Sequence, residues 1–112
     1  MARPAERPAC PEAPAWLAGS LLARWTELAP VFWRMGTLSE LEVPTLARYI
    51  LAENNYLKVS DQLQTALNKG DSEEVGKWLT AQDKLIKQIL TLGEALALTA
   101  EKRKAMGWTL PG

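Results

Sequence analysis

The chain of 112 residues contains no histidine and a single cysteine, Cys10. Without histidine it lacks the commonest general base and the commonest metal ligand. One thiol alone forms neither an intramolecular disulfide nor a metal site. Glycine-rich phosphate loops, paired-cysteine motifs and Ser/His/Asp sets are also missing from the sequence. The sequence therefore predicts a protein that is not an enzyme and that uses no metal and no cofactor.

Long apolar runs are missing as well, since none reaches the roughly 18 residues that a membrane span requires. The N-terminal stretch also lacks the apolar centre of a signal peptide, so we expect no membrane association and a cytosolic protein. Thirteen basic and thirteen acidic residues give a formal net charge of zero. This balance argues against binding nucleic acid by bulk attraction to phosphate, although it leaves a local basic patch open.

Proline and apolar spacing divide the chain. Residues 1–14 hold four prolines and are predicted to form a flexible Pro-rich tail, which leaves residues 15–112 as a single helical domain. Apolar residues near a period of 3.6 predict a first helix from Ala15 to about Ala29. We expect Pro30 to interrupt it, with a short helical turn following and ending by Gly36.

Two long helices are predicted next. Ser39 and Glu42 have the spacing of a capping box at the start of the second helix, and Gly70 ends it. Asp71 and Glu74 have the same spacing at the start of the third helix, and Thr99 suits the cap of a last short helix. The predicted fold is all-α: a helical hairpin of two long antiparallel helices plus shorter N- and C-terminal helices.

The third helix carries the clearest amphipathic stripe, which predicts its packing face. The stripe consists of Val75, Trp78, Leu79, Gln82, Leu85, Ile86, Ile89, Leu92 and Leu96. Within it we expect a hairpin core in which Trp78, Leu85 and Ile89 pack against Leu46, Ile50 and Leu57.

Two basic groups and several tryptophans are candidates for binding. Lys77, Lys84 and Lys87 fall near one helix face, which indicates either an ordinary solvated face or a surface that contacts DNA phosphates. The cluster Lys102, Arg103 and Lys104 near the C-terminus allows the same two interpretations. Trp25 and Trp78 lie on apolar stripes and are predicted to be core. Trp16, Trp33 and Trp108 flank helix ends and are candidates for an oligomer interface.

Ordered landmarks across most of the chain resemble those of the small subunit of tailed-phage terminases. The matching positions are Pro11, Pro14, Trp16, Leu17, Trp25, Gly36, Leu38, Ser39, Tyr49, Leu98, Thr99 and Arg103. The chain departs from the family's pattern in four places. Glu42 replaces an aspartate, Ala97 a glycine and Ala100 a proline, and residues 70–72 replace an Asn-Pro element.

This resemblance implies a function in DNA packaging, in the cytoplasm of the bacterial host. Such subunits form rings of many copies, bind double-stranded viral DNA at the packaging initiation site, and recruit the large subunit that carries the ATPase and nuclease. The alternative is a non-catalytic helical protein–protein adaptor without nucleic acid. A third possibility, a metal-dependent enzyme, has little support in a chain without histidine.

Overall fold

A computed structural model of the chain describes residues 9–105, with side chains described for residues 9–96. Within that range three helices follow one another: α1 at Ser20–Arg34, α2 at Val43–Lys69 and α3 at Ser72–Ala105. The two long helices, α2 and α3, pack antiparallel, and the described part of the chain contains no strand. The predicted all-α hairpin with a shorter N-terminal helix is confirmed.

The turn between α2 and α3 forms where the sequence predicts it. Gly70 adopts a left-handed conformation with φ of 69°, which only glycine adopts without strain. The amide of Gly70 donates to the carbonyl of Leu67 at 3.2 Å, and that of Asp71 donates to Ala66 at 3.2 Å. Asp71 then caps α3, because its carboxylate accepts the amide hydrogen of Glu74 at 3.1 Å.

Ser39 and Glu42 interact as their spacing predicts, but they close a turn that precedes α2. The amide of Ser39 donates to the Glu42 carboxylate at 3.3 Å, and the hydroxyl of Ser39 donates to the same carboxylate. The helix itself begins at Val43, with Pro44 in its first turn, where a missing amide costs least. From there α2 runs without a break to Lys69.

The structure corrects the predicted limits of the first and last helices. α1 begins at Ser20 rather than Ala15, and it continues through Pro30. Pro30 lies on the exposed side of α1, whereas the neighbouring Ala29 is buried. Because proline has no N–H, one carbonyl in the preceding turn loses its hydrogen bond, and water can replace that bond on the exposed side. The segment from Thr99, predicted as a separate helix, is the last part of a continuous α3.

The buried core lies at one end of the hairpin, which we call the base. Its helical members come from α1, the first part of α2 and the late part of α3, and Leu17 and Leu38 join them from the connecting segments. Pro11 is buried too, although it belongs to the predicted tail; residues 1–8 of that tail lie outside the described part of the chain. The core residues are Leu17, Trp25, Ala29, Leu38, Leu46, Ala47, Ile50 and Leu96.

The rest of the hairpin, residues 55–90, extends beyond the base as a two-helix arm. The described molecule is accordingly elongated, with extents of 64 × 29 × 21 Å. Trp78, Leu85 and Ile89 face α2 within the arm, but they are only half-buried. Trp78, which was predicted to be core, is therefore only partly buried, because in the arm each helix has only one neighbour.

Leu57 is a second correction to the predicted core, since it is 60% exposed. Two turns of α2 separate it from the buried Ile50, so both side chains point to the side that α1 covers in the base. α1 begins only at Ser20, however, and Leu57 lies at that end. A cleft of about 400 Å³ opens there, lined by residues that include Ser20, Leu21 and Leu57.

Arg24 on α1 forms hydrogen bonds to α2 beside this cleft. Its Nε donates to Oε1 of Glu53 at 2.7 Å and a terminal nitrogen donates to Oε2 of Glu53 at 3.2 Å. The other terminal nitrogen donates to Glu27 at 3.0 Å. These hydrogen bonds, chiefly those that Glu53 accepts and then the one that Glu27 accepts, raise the pKa of the Arg24 guanidinium above its ordinary value. The paired contact with Glu53 fixes the angle at which α1 crosses α2.

We expect Arg24→Lys to lower the free energy of unfolding by about 1 kcal/mol, because an ammonium cannot make the two-pronged contact with Glu53. Urea denaturation followed by circular dichroism measures the change. Lys87→Gln is the matched control. It removes an ion pair between Lys87 and Asp83 that is largely exposed and lies within one helix, so its effect should stay below about 0.5 kcal/mol. Equal losses in the two variants would contradict this role for Arg24.

Candidate nucleic-acid and subunit interfaces

The lysines predicted on α3 all lie on the exposed part of the helix surface. Lys77 and Lys84 are seven residues apart and so project in nearly the same direction, with Thr80 and Gln88 close to their row. Lys87 lies about 60° further around the helix from Lys84, on the side away from Lys77. The structure therefore groups Lys77 with Lys84 and sets Lys87 apart.

Local contacts also separate the three lysines. The ammonium of Lys77 lies over the ring of Trp78, 4.8 Å from the ring centroid, in the geometry of a cation–π contact. Lys87 pairs with Asp83 at 3.0 Å, which partly neutralises it. Lys84 is exposed and forms no ion pair with another residue in the 9–96 range. Lys84 is thus exposed without an intramolecular contact of the kind that Lys77 and Lys87 make.

A second set of basic residues lies on α2: Arg48, Lys58 and Lys69, all of them exposed. Lys58 and Lys69 are eleven residues apart, close to three helical turns, so they share one side of the helix, whereas Arg48 lies about 80° around the helix from Lys58. At Lys69 this side adjoins α3, because Lys69 lines a pocket together with Glu74 and Trp78.

Lys77 and Lys84 lie toward this same side of the hairpin. We call the surface formed by Lys58, Lys69, Lys77 and Lys84 the basic side. Lys58 was not predicted from the sequence, although its spacing of about three turns from Lys69 was a signal that could have identified it. The acidic residues nearest in the sequence point elsewhere around α2, with Glu53 directed to Arg24 on α1. Several cations thus share one side of the hairpin on a chain of zero net charge, with Asp71 and Glu74 beside Lys69 at the tip.

The C-terminal cluster Lys102, Arg103 and Lys104 lies in the last turns of α3. Its side chains lie outside the described residues, so its use as a DNA contact stays a prediction. The same is true of Trp108 as an interface residue.

The remaining tryptophans occupy different environments. Trp25 is buried in the base, as predicted, with 4% of its surface exposed. Trp16, a candidate for an oligomer interface, is 55% exposed in the turn closed by the amide of Leu17 and the carbonyl of Pro14. Trp33, the other candidate, is half-buried against the base core. Trp78 donates its indole hydrogen to Glu74 at 3.0 Å. Trp16 is accordingly the most accessible of the four.

The described part of the chain offers neither a metal cluster nor a membrane-spanning helix. Residues 9–96 contain no group of three or more Cys, Asp or Glu side chains placed to hold a metal ion. Among the helices described, none is both long and apolar enough to cross a membrane. Cys10 is half-buried, and its burial raises the pKa of its thiol. The surfaces described above are therefore the strongest candidates for function.

Comparison with known proteins adds one positive finding. A family model described as phage terminase, small subunit, matches residues 22–110. The match covers α1 from its third residue and the whole of α2 and α3, and so includes most of the base and all of the arm. No curated protein and no solved structure shows significant similarity to the chain.

Proposed function

Since the chain belongs to the family of phage terminase small subunits and has a role in phage DNA packaging, we propose that it binds double-stranded viral DNA as a homo-oligomer. In this proposal it marks the packaging initiation site in the cytoplasm of the bacterial host and recruits the large ATPase-nuclease subunit. The chain itself performs no chemistry. The observation that carries the DNA-binding part is the basic side, where cations from α2 and α3 share one exposed surface.

Oligomerisation is essential to this function for an electrostatic reason. The chain has zero net charge, so one copy attracts the DNA backbone only through its local cationic surface. Copies joined together present that surface repeatedly, and each further contact is then made at high effective concentration. The proposed assembly, such as a ring, therefore binds DNA measurably although a single subunit binds it weakly.

The test is binding of the full-length chain to a fluorescent DNA duplex over a range of salt concentrations, combined with native mass spectrometry. We expect a homo-oligomer larger than a dimer, with log Kd rising against log salt by roughly 0.9 for each phosphate contacted. Co-sedimentation with the cognate large subunit tests the recruitment step. If the oligomer binds no duplex at low salt, the DNA-binding proposal fails. The alternative, a protein–protein adaptor without nucleic acid, then takes its place.

The C-terminal cluster supplies a separate prediction. If Lys102, Arg103 and Lys104 contact phosphates, their joint replacement by glutamine should lower the salt slope by about 2–3. The matched control is Arg34→Gln, which removes an exposed charge from α1 in the base and should leave the slope unchanged. An unchanged slope in the triple variant would restrict DNA contact to the rest of the chain.

A further inference from the structure

The row that begins with Lys77 and Lys84 continues along α3 from the arm through the base. Residues seven or eighteen positions apart on a helix are close to two or five turns apart, so they share one direction. Lys102 follows Lys84 by eighteen positions, and α3 extends to Ala105, so the backbone places position 102 in the same row. We call this side of α3 the long row. It consists of Lys77, Lys84, Gln88, Thr91, Ala95 and Lys102.

Between its lysines the long row is exposed and uncharged. Gln88, Thr91 and Ala95 are all exposed, although Ala95 adjoins the core residue Leu96 in the base. Their side chains are short or neutral, so they neither attract nor repel an anion. A linear anion can therefore lie on this part of the helix as far as the base.

Acidic residues stay off the long row between Lys77 and the base. Asp83 and Glu94 lie about a quarter of a turn away from it around α3. Toward the tip the row ends at Glu73, which is exposed one turn before Lys77. The acidic tip thus limits the cationic part of α3 to the stretch that begins at Lys77.

α2 adds a further cation at the arm end of the long row. The amide of Gln82 donates to the hydroxyl of Ser60 at 3.2 Å, which fixes the register of the two antiparallel helices. Two positions closer to the base on each helix, Lys58 lies level with Lys84. Both belong to the basic side, so the arm end of the row has more charge than one helix alone would supply.

The spacing of the cations along α3 matches the pitch of duplex DNA. With a rise of about 1.5 Å per residue, position 102 lies about 27 Å from Lys84 and about 37 Å from Lys77. One turn of B-form DNA is about 34–36 Å long, and each strand returns to the same side of the duplex once per turn. A helix laid along the duplex would therefore meet one strand at both cationic ends.

We propose that α3 lies lengthwise along duplex DNA, and that each copy contacts the phosphate backbone at two places one helical turn apart. The arm place consists of Lys58, Lys77 and Lys84, and the base place consists of Lys102. The inference rests on the proposed function, because it requires that the chain binds duplex DNA. It adds the direction of α3 on the DNA and the length of duplex that one copy occupies.

The arrangement is compatible with an assembly of many copies. The exposed apolar residues of α3, namely Leu79, Ile86 and Leu90, lie on the opposite flank of the helix from the long row. Apolar contacts between copies at that flank would leave the row open to DNA. Because lysine contacts to phosphate carry no sequence information, both places hold a duplex of any sequence.

The effect of duplex length on Lys102→Gln tests the two places. A DNA hairpin with a stem of about 7 base pairs is shorter than one turn, whereas a duplex of about 16 base pairs extends past one turn. With the longer duplex, Lys102→Gln should lower the slope of log affinity against log salt by about 0.9 for each copy in contact. With the short stem, which the arm place still holds, the slope should not change.

The measurement is fluorescence anisotropy of the labelled DNA over a range of salt concentrations, with the full chain. Native mass spectrometry shows that each variant keeps the oligomer of the unmodified chain. Lys77→Gln combined with Lys84→Gln should lower the slope with both DNAs, because the short stem also depends on the arm place. A dependence on length is thus expected at position 102 and not at the arm place.

Lys104→Gln is the matched control for Lys102→Gln. Position 104 lies two residues further on and about 160° around α3 from position 102, so its replacement should leave both slopes unchanged. Lys102→Arg keeps the positive charge and should retain the slopes of the unmodified chain. If Lys104→Gln acts as strongly as Lys102→Gln, the end of α3 contacts DNA regardless of the long row, and the proposed alignment is wrong.

The outcomes separate this inference from the proposed function. If the unmodified chain binds both DNAs but Lys102→Gln changes neither slope, or changes both equally, α3 does not lie along the duplex and the proposed function stands. A chain that binds neither DNA at low salt contradicts both proposals. An effect of Lys102→Gln with the longer duplex alone, together with an inactive Lys104→Gln, supports two contacts one turn apart.

Discussion

Replacing Ile50 by alanine should lower the free energy of unfolding by about 2–5 kcal/mol, as large-to-small substitutions in well-packed cores do. Ile50 is 1% exposed and packs in the base core with Leu46 and Trp25. A cavity at this position would have α1 on one side and α2 itself on the other, so little collapse can fill it. Thermal or urea unfolding, followed by the far-ultraviolet signal of the helices, measures the loss.

Leu57→Ala is the matched control for Ile50→Ala. It removes an apolar side chain from the same side of α2, two turns further along, where the side chain is 60% exposed. Its cost should remain below about 1 kcal/mol, because most of that side chain is already in water. Similar losses at the two positions would show that the core extends past the end of α1, as the sequence alone predicts.

DNA affinity should fall about a thousandfold near 0.1 M salt when Lys58, Lys69, Lys77 and Lys84 are all replaced by glutamine. Four lost phosphate contacts would lower the slope of log affinity against log salt by roughly 3.6. At 0.1 M salt, each unit of that slope corresponds to about a tenfold change in affinity. Fluorescence anisotropy with a duplex, repeated at several salt concentrations, measures both quantities. Native mass spectrometry must show that the oligomer is retained.

The control for the four-lysine variant removes negative charge from the same arm. Asp61→Asn should hold or increase the affinity, because it makes the arm more positive without touching the basic side. If the four-lysine variant keeps the slope of the unmodified chain while remaining oligomeric, the basic side is not the DNA contact. Binding must then rest on the C-terminal cluster or on Arg3 and Arg7 near the N-terminus.

The features that the sequence predicts well depend on a few neighbouring residues. The hairpin turn requires a left-handed residue, which Gly70 supplies, and Asp71 caps the amide of Glu74. The turn is therefore specified within five residues. The stripe on α3 also predicts correctly that this helix packs along α2. Such features need no knowledge of the rest of the molecule, because helix caps and periodicity are local properties.

The features that the sequence predicts poorly depend on where another helix ends. Leu57 and Ile50 occupy equivalent positions on α2, and only the start of α1 at Ser20 makes one exposed and the other buried. Trp78 lies on an apolar stripe like Trp25, but the arm has no third helix to cover it. Pro30 stays within α1 because its neighbours pack against α2 while its own side faces solvent. In each case tertiary contact overrides a local rule.

The candidate DNA surface shows the same division. The row of Lys77 and Lys84 follows from a seven-residue spacing within one helix. Its continuation through Lys58 and Lys69 requires the two helices to be side by side, which only the folded hairpin shows. The structure thus enlarges the surface predicted from α3 and separates Lys87 from it.

The two-helix construction of the arm has a consequence for local stability. Opening the arm at its tip breaks contacts between two helices only, whereas opening the base disrupts the packing of three helices and the segments between them. Amide hydrogens near Gly70 should therefore exchange with solvent through small local openings, at a lower free energy than those of the base. Anything that binds the arm across both helices closes these openings. A partner would thereby slow exchange most strongly in the part of the molecule that contributes least to its folding.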